Sequence, residues 1–144
     1  MTEPIVRSID IAAPPERVFP LLVEPEALQR WWPDLAELDP REGGRFRMEF
    51  AGGESVVTGE VTVFEPPRAL GLTWAWDGRP AETATRIDLT VTPLDGGRSR
   101  VEVVHSGWDR VPDLRPAHDA GWAHFLGSLA ALAEGRPFDK TFRP

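Results

Sequence analysis

His105, His118 and His124 are the only side chains in this sequence that ordinarily titrate near neutral pH, and cysteine is absent. They are therefore the first residues to weigh for moving a proton. His105 shares the alternation of Val101 and Val103, which turns it inward near the end of a strand. His118 precedes Trp122 by four residues and so shares its helix face, one turn towards the N-terminus. His124 follows Trp122 by two and is expected to face solvent. Paired with Asp109, Asp113 or Asp119, His105 or His118 could shuttle protons as in a cyclase or dehydratase. Alternatively the two histidines orient a ligand carbonyl, hydroxyl or carboxylate, or each satisfies a backbone carbonyl at the end of its element. No nucleophile elbow, phosphate loop, zinc helix or dinucleotide fingerprint accompanies them. A metal reading would need a third ligand such as Asp119 or Asp109 and has no recognised spacing behind it. No catalytic residue, metal or cofactor is assigned.

Six tryptophans and no tyrosine sharpen the choice. Trp31, Trp32, Trp74, Trp76, Trp108 and Trp122 fall where one cavity could collect them, and each brings a large apolar surface with one N–H donor. Trp74, Trp76 and Trp122 are expected as cavity walls, Met48 and Phe50 as an adaptable floor, and His105 and His118 as the polar end. Trp108 and Trp122 would add indole donors, and Trp32 and Phe125 complete the set of candidate ligand-binding residues. A small hydrophobic or amphipathic molecule is the expected partner. Complete filling of the same space by these side chains is the alternative.

The elements that must hold these residues follow from hydrophobic period and turn chemistry. Alternation over Ile5 to Ile11 predicts a first strand, ended by Pro14 and Pro15. Glu16 to Val23 and Pro25 to Trp32 read as two short helices that close the cavity mouth, with Pro20 kinking or shortening the first. From Gly43 to Gly107 the period is two. Turn signals at Gly52-Gly53, Pro66-Pro67, Asp77-Gly78 and Asp95-Gly96-Gly97 predict five further strands in a meander. Phe46, Met48 and Phe50 share one apolar face with Val57, Val61 and Val63, and with Leu70, Leu72, Trp74 and Trp76. After a loop over Trp108 to Pro116, the spacing of Trp122, Phe125, Leu126, Leu129, Leu132 and Ala133 is that of one long amphipathic helix, ended by Gly135 and Pro137. The architecture expected is α+β, a curved six-stranded antiparallel sheet around the C-terminal helix.

The length, 144 residues, suits one domain spanning 1–144, large enough for an apolar core without metal or disulfide. The formal charge of −7 and the scattering of Arg41, Arg45, Arg47, Arg98 and Arg100 among apolar residues argue against nucleic acid as a partner. The first ten residues read as neither signal peptide nor anchor, and no segment reaches the roughly 20 apolar residues of a spanning helix. A cytoplasmic protein without membrane insertion, monomeric or homodimeric, is expected.

The order of these elements resembles the helix-grip fold of the START and SRPBCC superfamily, which includes the birch-pollen allergen and polyketide cyclases. Ala13-Pro14-Pro15-Glu16-Arg17-Val18-Phe19 is similar to the family's opening APxxVW segment, with Phe19 where a tryptophan is common. Arg30-Trp31-Trp32-Pro33, Asp39-Pro40-Arg41-Glu42-Gly43-Gly44-Arg45-Phe46, Pro66-Pro67-Arg68-Ala69-Leu70, His105-Ser106-Gly107-Trp108 and Gly121-Trp122 follow in family order. Together they resemble the branch named for the activator of the heat-shock protein 90 ATPase, in its stand-alone bacterial form. The resemblance implies a cavity between sheet and helix, used across the superfamily for binding, transport, sensing and occasional catalysis. A carrier, sensor or stress-response protein is the first expectation. A cyclase- or dehydratase-like enzyme using His105 and His118 is the second, and a co-chaperone the third.

Overall fold

A computed structural model describes residues 2–142. The first strand, β1 (Ile5–Ile11), leads into three short helices, α1 (Pro15–Val18), α2 (Pro20–Val23) and α3 (Pro25–Trp31). Six strands follow as β2 (Leu35–Leu38), β3 (Arg45–Phe50), β4 (Ser55–Glu65), β5 (Ala69–Trp76), β6 (Thr85–Leu94) and β7 (Arg98–Ser106). Two 3₁₀ turns, Trp108–Arg110 and Pro112–Leu114, deliver the chain to α4 (Arg115–Glu134). The sheet order is β1-β7-β6-β5-β4-β3-β2 with every pair antiparallel. β1 thus lies beside the last strand, and the meander curls round α4 as a helix-grip fold.

Three expectations need correction. Seven strands form where six were expected, because Leu35–Leu38 pairs with β3 from Leu35 opposite Glu49 to Leu38 opposite Phe46. Four residues with one buried member, Ala36, make too short a pattern to stand out. Three short helices form where two were expected, since Pro20 cannot donate an N–H and starts a separate turn. α4 starts at Arg115, inside the segment expected to be loop, with Pro116 in its first turn, where a missing N–H is harmless.

The expected inward set Val57, Val61 and Val63 also breaks. Val61 pairs with Leu72 but Val63 with Gly71, so Thr62 is an extra residue in β4 and the faces exchange beyond it. Phe64, opposite Leu70, takes the inward place and meets Phe19 edge-on at 6.0 Å.

α4 is held along β1 at two heights. Arg7 donates to Asp119 at 2.7 Å near one end, and the Ala12 N–H donates to Glu134 at 2.9 Å near the other. Between them Leu126, Leu129, Ala130 and Ala133 are buried in the same apolar core as Ile5, Ile11, Leu89 and Val103. Gly127 lies on the exposed side of α4, and a Cβ there would meet nothing within 4 Å. Gly127→Ala is expected to stabilise the protein by about 0.8 kcal/mol through helix propensity, raising the urea midpoint at unchanged m-value. Gly107, at φ 92°, makes the left-handed turn that takes β7 into the buried Trp108. Among the described residues no helix is long and apolar enough to cross a membrane.

Candidate functional site

A cavity of about 400 Å³ opens where the curled sheet parts from the first half of α4. Phe50 reaches it from the end of β3, Trp74 and Trp76 from the end of β5, and Ala117, His118, Gly121, Trp122 and Phe125 from α4. Trp32, immediately after α3, closes one side, and Lys140, Thr141 and Phe142 of the C-terminal tail close another. The tail is tied down by Lys140, whose Nζ donates to the carbonyls of Gln29 at 2.6 Å and Pro33 at 2.8 Å, while Phe142 packs on Phe125 and His124.

The indoles form a continuous aromatic wall. Trp32 is stacked between Trp31 at 5.3 Å and Trp74 at 5.2 Å, the latter within 1° of parallel, and Trp122 leans on it at 5.0 Å. Behind this wall two imidazoles accept its hydrogen bonds. Trp76 and Trp74 both donate to His118 Nε2, at 3.0 and 3.3 Å. A bare Nε2 requires the proton on Nδ1, which donates to the Leu114 carbonyl at 2.8 Å. His105 holds the other tautomer. Its Nδ1 accepts from Trp122 at 3.0 Å and its Nε2–H donates to Thr85 Oγ1 at 2.7 Å. The Thr85 hydroxyl then donates to the Trp74 carbonyl at 3.3 Å, and Trp108 donates to the His105 carbonyl at 2.7 Å.

Both rings are held neutral. Burial, and secondarily the nearby His118, pushes His105 from 6.5 down to about 2. Burial also lowers His118, although the Leu114 carbonyl works the other way by favouring the charged form. Protonating either ring would turn an acceptor of indole N–H groups into a donor facing them.

Of the candidate ligand-binding residues, Trp32, Phe50, Trp74, Trp76, His118, Trp122 and Phe125 line the cavity. Met48, His105 and Trp108 do not, being buried beneath its wall. Parity along a strand tells which face a residue takes but not its depth, and Met48 lies one pleat further from the open end than Phe50. The histidine–carboxylate pair that an enzyme reading would need is not formed among the described residues. Asp119 is bonded to Arg7, Asp113 to Arg79 at 3.3 Å, and Asp109 accepts the Thr2 N–H at 2.7 Å. Neither His105 nor His118 keeps a free nitrogen with which to act as acid or base. His124, expected in solvent, is half-buried and donates Nε2–H to the Lys140 carbonyl at 3.0 Å. Ala117 and Gly121 were missed, although small residues four apart on Trp122's helix are a readable sign of a hollow. Lys140, Thr141 and Phe142 follow the helix end and carry no periodic signal.

Residues 12–134 match the family described as Activator of Hsp90 ATPase homolog 1-like protein. None of the curated proteins matches the chain. Among solved structures, protein CV1439 from Chromobacterium violaceum is similar at 29% identity and TM-score 0.74, covering 91% of this chain and 97% of that one. Protein MLL2253 from Mesorhizobium loti is similar at 25% identity and TM-score 0.76, covering 92% and 99%. The Aha1 dimer from Colwellia psychrerythraea, at 24% identity and TM-score 0.78 over 92% and 97%, shares the fold.

Proposed function

The chain belongs to the activator of Hsp90 ATPase homolog 1-like family, and from that premise we propose that it holds a small, mainly apolar molecule between sheet and C-terminal helix, as a carrier or sensor and not as an enzyme. The observation that carries this reading is an aromatic-walled cavity of about 400 Å³ in which the N–H groups of Trp74, Trp76 and Trp122 are already taken up by the two imidazoles. Water inside it finds few partners, so an apolar guest that displaces it gains the free energy of leaving water. A catalytic role for His105 and His118 has no support in this arrangement, because their ring nitrogens are spent on indoles, the Thr85 hydroxyl and the Leu114 carbonyl. Action on a chaperone ATPase, which the family description names, is the second reading, and it rests on that description.

Native mass spectrometry of protein purified gently from its own host tests the proposal, with a reproducible extra mass lost on denaturation as the expected result. Gly121→Leu sharpens the test. A Cβ at Gly121 meets Phe142 at 3.7 Å, an ordinary contact, and the rest of the leucine occupies the cavity. Leucine also exceeds glycine in helix propensity by about 0.8 kcal/mol, so the fold is expected to stand. The variant should keep or raise its unfolding midpoint while its affinity for the released molecule falls at least about tenfold. Unchanged affinity would place the molecule elsewhere.

A further inference from the structure

We infer that the Trp32 indole N–H is the donor through which this cavity selects its guest, and that the guest is a neutral aromatic ring compound presenting a hydrogen-bond acceptor. This rests on the cavity being a ligand site, as proposed above. Five of the six indole donors are already bonded within the protein. Trp31 donates to the Leu21 carbonyl at 2.8 Å, Trp74 and Trp76 to His118, Trp108 to the His105 carbonyl and Trp122 to His105 Nδ1. Trp32 alone has no acceptor among the described residues, yet its Nε1 is not sealed from solvent, since the one sealed and unpartnered side-chain atom among those residues is Thr62 Oγ1. Both faces of Trp32 are covered by Trp31 and Trp74, and Trp122 and Phe50 lie against it. Trp32 as a residue is 5% exposed and lines the cavity, so the cavity is the space that its unsealed N–H is inferred to face.

A tryptophan N–H at an apolar wall is costly to leave without an acceptor once water is expelled, and a guest that supplies one recovers that cost. Of the other polar wall groups, His118, Lys140 and Asp34 are already committed. Lys140 Nζ serves two carbonyls with Asp34 at 3.5 Å, and Asp34 accepts the Gly52 N–H at 2.9 Å. No ionic group is left to compensate a charged guest in this space, which is why the guest is neutral. Ser55 is half-buried and Thr141 exposed, against 5% exposure for Trp32, so their hydroxyls have less to gain from a guest's acceptor. Phe50, Trp74, Trp76, Trp122, Phe125 and Phe142 offer edges and faces that suit a second aromatic system.

Fluorenone and fluorene are the probes, one planar frame with and without a carbonyl acceptor. Fluorene is the more apolar, so burial alone favours it. Equilibrium dialysis against the full chain is expected to show fluorenone bound about fivefold more tightly, the worth of one net hydrogen bond. In Trp32→Phe that preference should vanish, whatever happens to the two affinities together. The Trp32 indole N–H resonance, read in the unaltered protein, should move downfield with fluorenone and not with fluorene, so the test stands even if the variant folds poorly. Equal binding of the two probes, a preference that survives in Trp32→Phe, or an unmoved indole resonance overturns the inference and leaves the cavity reading in place. Failure of both probes to bind overturns both.

Discussion

Between pH 6.5 and pH 4.5 the protein is expected to lose about 2 kcal/mol of stability to His105 alone. The sign follows from linkage. In the unfolded chain His105 takes up a proton near its ordinary 6.5, whereas in the folded protein burial holds it down to about 2. Through the interval between these values the unfolded state binds one proton more, and folding weakens by about 1.4 kcal/mol per pH unit. His118, also lowered by burial, adds to the loss in the same direction. The carboxylates act elsewhere on the pH scale. Asp119 is held low first by its hydrogen bond from Arg7, Asp10 by that from Arg100, and Glu134 by the Ala12 N–H, so their contribution is lost only below the ordinary carboxylate range. Urea unfolding at constant ionic strength should therefore show a steep decline that begins near pH 6.5. A stability flat from pH 7 to pH 5, or a folded-state His105 resonance that titrates near 6.5, would be incompatible with the buried neutral pair.

His105→Ala is expected to cost about 4 kcal/mol. The substitution leaves the Trp122 N–H and the Thr85 hydroxyl without their partner and opens a void beneath Trp74 and Trp108, which meet the imidazole at 6.2 and 4.3 Å. His105→Gln is the informative comparison, because its amide can donate to Thr85 or accept from Trp122 and cannot take up a proton. It should cost roughly half as much and flatten the decline below pH 6.5. Guanidinium or urea midpoints of the two variants at pH 7.5 and pH 5 decide the matter. An alanine variant losing less than about 1 kcal/mol would mean that the imidazole is not what the indoles depend on.

The strands that carry the site were legible because each keeps a period of two over six residues or more, and Phe50, Trp74 and Trp76 could be placed on one face from that alone. The bulge at Thr62 was not. Val61, Thr62 and Val63 are all β-branched, so an extra residue there leaves no mark in the pattern. The two histidines were correctly turned inward, yet their partners were out of reach of sequence reasoning. Trp122 and His105 are brought together by a helix laid across a strand, and Trp76 meets His118 from 42 residues away. Hydrogen bonds of that separation depend on depth and tilt, which periodicity does not encode. The three short helices and the tail were the least legible. Proline positions told where a helix may start, and only packing tells that Lys140 comes back to the carbonyls at the end of α3.

The stack of Trp31, Trp32 and Trp74 gives the molecule an optical property as well as a wall. Chromophores at such separations share their excitation, and their joint near-ultraviolet circular dichroism depends on mutual orientation more than on solvent. Two of the three line the cavity and the third lies behind them. A guest that tilts Trp32 by a few degrees would change that signal with no dye attached, so the unlabelled protein is equipped to report its own occupancy.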